Sequence, residues 1–264
     1  MVHFVGAGPG AEDLITVRGA KFLAEADVII YAGSLVNPKL LEYAKENCEI
    51  FNSASMTLEE VLEVMEKAEE KGKTTVRLHT GEPSIYGAVR EQMDRLEEQG
   101  IPYDSCPGVS ACFGAASSMN LEYTLPEVAQ SLIITRMEGR TKVPERERIE
   151  SMAAHQTSMA IYLSAGMLMQ LAERLIHGGY PKDTPAAIVY KATWPEERIL
   201  QCTLETLAAT GAEHGITNTA LVLVGKVLTA GKGLYERSKL YDPDFETGYR
   251  EKRSRYDHQC DQFQ

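Results

Sequence analysis

Along the first half of the chain, short apolar runs alternate with longer stretches whose apolar residues recur at helical spacing. Val2–Gly6 is an apolar run ending in glycine, and Thr16–Ala26 carries helix formers with a buried stripe. Val28–Tyr31 reads as the next strand, 38–46 as a helix, and 48–51 as a short strand. A strongly helical stretch from Leu58 to Lys71 is stopped by Gly72, as expected just past a helix C-terminus. Thr75–His79 is a strand, 86–99 a helix closed by Gly100, and Tyr103–Cys106 a further strand. Short strands that are apolar on both faces, each followed by an amphipathic helix, predict a parallel sheet covered by helices.

The pattern changes after Pro107. Small residues dominate 110–118 and predict a closely packed helix, and the polar stretch 119–127 reads as a connector. Strands follow at 131–135, 159–163, 186–190, 200–203 and 220–227, with helices at 167–177 and 204–209 and a charged segment from Arg136 to Arg148. The expectation is two α/β domains, 1–118 and 119–230, and a polar tail at 231–264 on the surface or without fixed structure.

Composition narrows the function classes. The 264 residues include 27 Lys plus Arg against 38 Asp plus Glu, a formal charge of -11, with 44% hydrophobic and 25% charged residues. That is globular composition, and its acidic balance argues against non-specific nucleic-acid binding, which needs a basic face to displace counterions. No apolar run approaches the ~20 residues of a membrane span. The opening residues lack a basic n-region and run straight into a strand pattern, so a cytoplasmic protein is expected. Five scattered cysteines without a CxxC pair read as reduced thiols, and six histidines without HxH or HxxxH spacing predict no metal site.

Three strand-end turns carry the candidate chemistry. Gly6-Ala7-Gly8-Pro9-Gly10-Ala11 formally satisfies the dinucleotide pattern G-x-G-x-x-G/A, which makes a nicotinamide-dependent oxidoreductase the alternative from a different class. Two features oppose it. The second strand ends at Tyr31-Ala32-Gly33 with no acid to hold a ribose, and Pro9 removes an amide from the middle of the supposed phosphate cradle. The loop is expected to be glycine-rich because something flat or another backbone passes close by. Thr80-Gly81-Glu82-Pro83-Ser84-Ile85 follows the strand 75–79, with Gly81 allowing close backbone approach and Glu82 serving either a ligand or the N-terminus of the next helix. Pro107-Gly108-Val109-Ser110-Ala111 is the third turn, with Ser110 a helix cap or a ligand hydroxyl. In an open parallel sheet, turns of this kind share one edge, where ligands bind.

With these motifs in place, the chain resembles the tetrapyrrole methylase family, on GAGPG with EDLITVRGAKFLAEADVIIYAG, on TGEPSIYG and on PGVSA. Ile161–Ser164 and Tyr190–Pro195 stand where that family has its C-terminal cofactor-contacting segments, and the likeness spans roughly residues 2–230. The segment ITRMEGRTKVPE and the segment YKATWPEE are similar to the branch that methylates carbon 11 of precorrin-4 in cobalamin synthesis. The resemblance implies two α/β domains, a homodimer, and S-adenosylmethionine folded into the cleft between the domains. It implies cofactor contacts at Pro9, Thr80, Gly81, Glu82, Ile85, Ser110, Ala111, Leu163 and Ala192, several of them through the main chain. Glu82 stands where the family commonly has Asp. Ala32 stands where members acting on uroporphyrinogen carry an acidic residue, which speaks against that activity. Other branches, such as another precorrin methylase, a diphthine synthase or a ribosomal RNA ribose methylase, remain alternatives, the last disfavoured by the acidic charge.

The implied substrate is a polycarboxylate macrocycle, so basic groups must hold it in an acidic protein. Arg136, Arg140 and Lys142 are the candidates, in the densest basic cluster of the chain; Arg146 and Arg148 alternate with Glu and suit a solvated face. No nucleophile triad is expected, and no catalytic residue is singled out. His79 and His155 are the histidines available to move a proton, a structural role being the ordinary one.

Overall fold

The computed structural model describes residues 1–230, 235–236, 238–242 and 244–251. Its first sheet contains β1 (Val2–Gly6), β2 (Val28–Tyr31), β3 (Glu49–Asn52), β4 (Thr75–His79) and β5 (Tyr103–Cys106), in spatial order β3-β2-β4-β1-β5, all pairs parallel. Helices α1 (Val17–Glu25), α2 (Leu58–Glu70) and α3 (Arg90–Glu98) cover it. One face packs Val5, Leu23, Ile29 and Leu78 together, and the other packs Phe4, Ile30, Met65 and Leu96. This is the two-sided burial that the uniformly apolar strands predict.

The second sheet is mixed: β6 (Leu132–Arg136), β7 (Ser158–Tyr162), β8 (Pro185–Tyr190), β9 (Arg198–Thr203) and β10 (Ala220–Val224), in order β6-β7-β10-β8-β9. Only β6 and β7 run parallel; β10 is inserted antiparallel between β7 and β8. Helices α5 (Ile149–Ala153), α6 (Leu168–His177) and α7 (Leu207–Glu213) complete this half. The small-residue helix α4 (Ala111–Met119) joins the halves. It follows a loop of the first sheet, yet its Cys112, Ala115 and Ala116 pack on Ala160, Ala187, Val189 and Leu223 of the second. Chain direction changes at Asn120, at φ 50°, but packing is continuous there.

Several local expectations are corrected. The third helix begins at Arg90 instead of Tyr86, because Tyr86 and Ala88 sit at φ 57° and 50°, in the left-handed region. The segment after Asn37 is a 3-10 helix, Pro38–Tyr43, shorter than the helix expected over 38–46. Inside the charged segment the chain turns at Glu145–Glu147, and α5 follows directly, an element the polar sequence does not announce. Of the expected tail, residues 231–234, 237, 243 and 252–264 lie outside the described residues. Between them, Arg250 donates through Nη2 to the carbonyls of Leu240, Asp242 and Phe245, so this stretch folds onto itself.

Candidate functional site

The three glycine-bearing turns of the first sheet meet at its C-terminal edge and are sewn together by backbone. Gly8 and Gly81 exchange N–H···O=C bonds at 3.3 and 2.9 Å. A Cβ at Gly6 would stand 2.6 Å from Gly108 Cα and from the Gly81 carbonyl, and one at Gly108 would stand 2.2 Å from that carbonyl. No side chain fits there, so glycine is what lets three loops stack. Glu82 braces them: Oε2 accepts from the Gly108 amide at 2.9 Å and Oε1 from the Ser84 amide at 2.9 Å. Its expected role as a cap of the following helix is replaced by this strut, since that helix starts eight residues on.

The second half closes over the first loop. Trp194 Nε1 donates to the Pro9 carbonyl at 3.1 Å, and the Ala11 amide donates to Thr193 Oγ1 at 2.9 Å. A Cβ on Gly10 would lie 2.1 Å from the indole, and one on Gly114 2.8 Å from the Pro9 ring. The first loop is therefore glycine-rich because the flat face of Trp194 and the backbone of Gly81 and Gly108 press against it. Below the loop, Ser110 Oγ and the Tyr162 hydroxyl are 2.8 Å apart, and the Cys112 amide donates to the same Tyr162 oxygen at 2.9 Å. Ser110 stands at the cap position of α4 with its hydroxyl committed to Tyr162 and no capping bond of its own. Burial pushes the Tyr162 phenol well above its ordinary range, so it stays protonated.

Between the two sheets lies a mostly apolar cavity of about 420 Å³ lined by Pro9, Thr80, Ala111, Leu163 and Ala192, together with Leu35, Tyr162, Val189, Trp194 and the 217–221 strand entry. Its size falls within the ~300–1,000 Å³ usual for small-molecule sites. Four residues around it, Leu163, Lys191, Thr193 and Thr219, have φ between 47° and 67°. Strain of that kind costs of order 1–3 kcal/mol per residue and clusters where a backbone must face a ligand.

A second cavity, about 300 Å³, adjoins the first and shares Leu35 and Thr80 with it. Ile85 and Tyr86 line it, and its floor includes Arg77, His79 and Gln92. Tyr86 leans on Tyr162 with ring centroids 5.7 Å apart, so the two cavities open side by side. His79 is 4% exposed; burial and, after it, the charge of Arg77 lower its pKa to about 3, so it is neutral and a poor carrier of protons at neutral pH. His155 is exposed.

Of the nine residues expected to contact a cofactor, five thus line one cavity. Gly81, Glu82 and Ser110 build its frame, and Ile85 faces the neighbouring space. Among the basic candidates, Arg136 donates to the carbonyls of Met137, Thr141 and Lys142, folding its own loop. Arg140 and Lys142 are exposed on that loop. Sequence reading missed Arg77 and Gln92, which a strand and a helix pattern conceal, and Leu35, which sits in a short 3-10 turn, Gly33–Leu35. Among the described residues no helix is long and apolar enough to cross a membrane.

Comparison with known proteins bears on this geometry. Residues 1–208 match the family model for tetrapyrrole (corrin/porphyrin) methylases. The cobalt-precorrin-4 C(11)-methyltransferase of Methanocaldococcus jannaschii is 52% identical over 97% of this chain and 98% of its own length. The precorrin-4 C(11)-methyltransferase of a Sinorhizobium species is 44% identical over 94% of this chain and 98% of its own. The X-ray structure of a cobalamin biosynthetic enzyme, cobalt precorrin-4 methyltransferase, superimposes with a TM-score of 0.84 at 41% identity, covering 86% of this chain and 95% of that one. Three stacked glycine turns, a second mixed sheet closing over them and a match through residue 208 together place the chain in the tetrapyrrole (corrin/porphyrin) methylase family.

Proposed function

We propose that this protein is an S-adenosylmethionine-dependent C-methyltransferase that methylates carbon 11 of precorrin-4 or of its cobalt form. The observation that carries this reading is the convergence of Pro9, Thr80, Ala111, Leu163 and Ala192 on one inter-sheet cavity that opens beside a second, more polar one. Full-length relatives that carry the carbon-11 activity in their names support the choice of substrate. The dinucleotide alternative finds no support in the site, since the first loop is filled by Trp194 and β2 ends at Tyr31-Ala32 without an acid.

The donor supplies a methyl group already activated on a sulfonium centre. What the chain must do is hold donor and acceptor in line and keep water away, and positioning of this kind is worth ~7–11 kcal/mol of barrier. Pro9, Ala111 and Ala192 would give a bound donor apolar walls, and Leu35 and Thr80, which line both cavities, would stand between it and the acceptor. Tyr162, protonated and fixed by Ser110 and Cys112, orients the cleft and does not act as a base. Reduced corrin precursors have enamine-like carbons, nucleophilic enough that no Ser-His-Asp apparatus is needed. Arg136 shapes the loop that presents Arg140 and Lys142 to the carboxylates at the cleft mouth. The homodimer and the cytoplasmic location are part of the same reading.

The test is incubation with precorrin-4, and separately with cobalt-precorrin-4, in the presence of methyl-labelled donor. A labelled product one methyl heavier supports the reading; a preparation that binds S-adenosylhomocysteine yet transfers no label to either macrocycle overturns the substrate assignment.

A further inference from the structure

The floor of the second cavity holds a cation with no counter-ion among the described residues. Arg77, on the central strand β4, is 6% exposed and makes no ion pair among the described residues. Its Nε donates to Gln92 Oε1 at 3.1 Å and its Nη1 to the Ile30 carbonyl at 3.1 Å. Gln92 in turn donates from Nε2 to the Ala88 carbonyl at 2.9 Å, so its amide is fixed with oxygen toward the guanidinium. Nη2 has no protein partner among the described residues. Two residues along the strand, on the same face, His79 has a buried Nε2 with no hydrogen-bond partner. Both side chains line the cavity, and the only acid lining it among the described residues, Glu91, is exposed and pairs with neither.

A buried charge answered, among the described residues, only by neutral groups, next to a buried imidazole nitrogen without a partner, is costly as it stands. Burial lowers the Arg77 pKa only to about 10, so the guanidinium is charged at neutral pH while His79 is neutral. Gln92 and Ile30 hold the guanidinium in place and leave its outer edge for a planar anion, the geometry that suits a carboxylate. Thr80, directly after His79, belongs to the donor cavity as well.

We propose that Arg77 and His79 bind one carboxylate side chain of the acceptor macrocycle and so seat the ring edge beside Thr80, an inference that rests on the tetrapyrrole substrate reading above. The basic loop 136–142 then acts at the mouth of the cleft and Arg77 at its floor. Arg77 sets where the ring sits, and His79 offers a neutral donor that a second positive charge in so dry a place would not supply.

The experiment uses the full chain and its Arg77→Gln, Arg77→Lys and His79→Gln variants. Each is titrated with uroporphyrin, a stable octacarboxylate tetrapyrrole, and with its octamethyl ester in the same detergent, following Trp194 and tyrosine fluorescence. Calorimetry with S-adenosylhomocysteine reports in parallel on folding and on the donor cavity. The expected result is that Arg77→Gln weakens uroporphyrin about tenfold or more, the weight of a charge-assisted hydrogen bond. Arg77→Lys recovers part of that loss, and His79→Gln weakens binding about threefold. The ester shows no such difference between wild type and variants, and the homocysteine affinity is unchanged. Should Arg77→Gln fail to fold, Arg77→Lys and His79→Gln decide the matter by the same comparison. Equal uroporphyrin affinity in wild type and folded variants, or an equal loss for the ester, overturns the carboxylate seat alone. A wild-type protein that binds S-adenosylhomocysteine but no uroporphyrin likewise overturns the carboxylate seat, whereas the substrate reading stands or falls by label transfer to precorrin-4 or its cobalt form.

Discussion

Ser110 Oγ and the Tyr162 hydroxyl, 2.8 Å apart, tie a loop of the parallel sheet to a strand end of the mixed sheet. The same phenol oxygen accepts from the Cys112 amide, so one side chain satisfies both the entry to α4 and its first turn. Tyr162→Phe leaves the Cys112 N–H without a partner in a largely dry place. The expected cost is about 1–3 kcal/mol in urea unfolding and a weaker affinity for S-adenosylhomocysteine. Ser110→Ala, which leaves the Cys112 bond intact, costs less, about 1 kcal/mol. Equal effects would show that the phenol does not serve both partners.

Gly108→Ala is expected to lose S-adenosylhomocysteine binding by more than about tenfold, measured by calorimetry, because its Cβ would stand 2.2 Å from the Gly81 carbonyl and force the stacked loops apart. Gly72→Ala is the control. It has φ 63° but open space around it, so it carries only a backbone penalty of about 1–2 kcal/mol and keeps its ligand affinity.

Acid stability carries the signature of His79. In the unfolded chain a histidine takes up its proton near the ordinary 6.5; in the folded protein it does so only near 3. Between those values the unfolded state binds more protons, so folding stability falls as pH is lowered through that window, by up to ~1.4 kcal/mol per pH unit from this group. His79→Gln is expected to flatten that slope, read as the difference in urea midpoints between pH 7 and pH 4.5. An unchanged slope would mean that the imidazole is protonated in the fold.

Arg140→Ala is expected to weaken macrocycle binding several-fold while sparing S-adenosylhomocysteine, since Arg140 is exposed and its side chain has no hydrogen bond or ion pair among the described residues. Arg136→Ala removes three bonds to the carbonyls of residues 137, 141 and 142 and is expected to lower both affinity and loop order, seen as faster proteolysis between 137 and 148. If Arg140→Ala binds the macrocycle as wild type does, the basic loop is not a substrate contact.

What could be read in advance follows from physics that is local. Apolar runs of four or five residues, glycines with no room for a Cβ, and the missing acid after Tyr31 all declare themselves in the chain, and they located the first sheet and the three turns. Non-local facts did not. The insertion of β10 between β7 and β8 depends on strand direction, which an apolar run such as Ala220–Val224 does not encode. The late start of α3 reflects left-handed Tyr86 and Ala88, which line the second cavity and sit there against their residue preference. Arg77 and His79 alternate with Val76 and Leu78, so the sequence shows only a strand; that their face opens into a cavity is a fact of the fold. Glu82 was legible as a functional acid, but that both its oxygens accept backbone amides required the third turn to be in place.

The central claim is that the space between the stacked turns and the mixed sheet is the methyl-donor site. A crystal structure of the chain grown with S-adenosylhomocysteine tests it most directly. The account predicts density for the ligand against Pro9, Thr80, Ala111, Leu163 and Ala192, with its sulfur toward Thr80 and the second cavity. Well-defined ligand density away from those residues, with this cleft filled only by water, would contradict it.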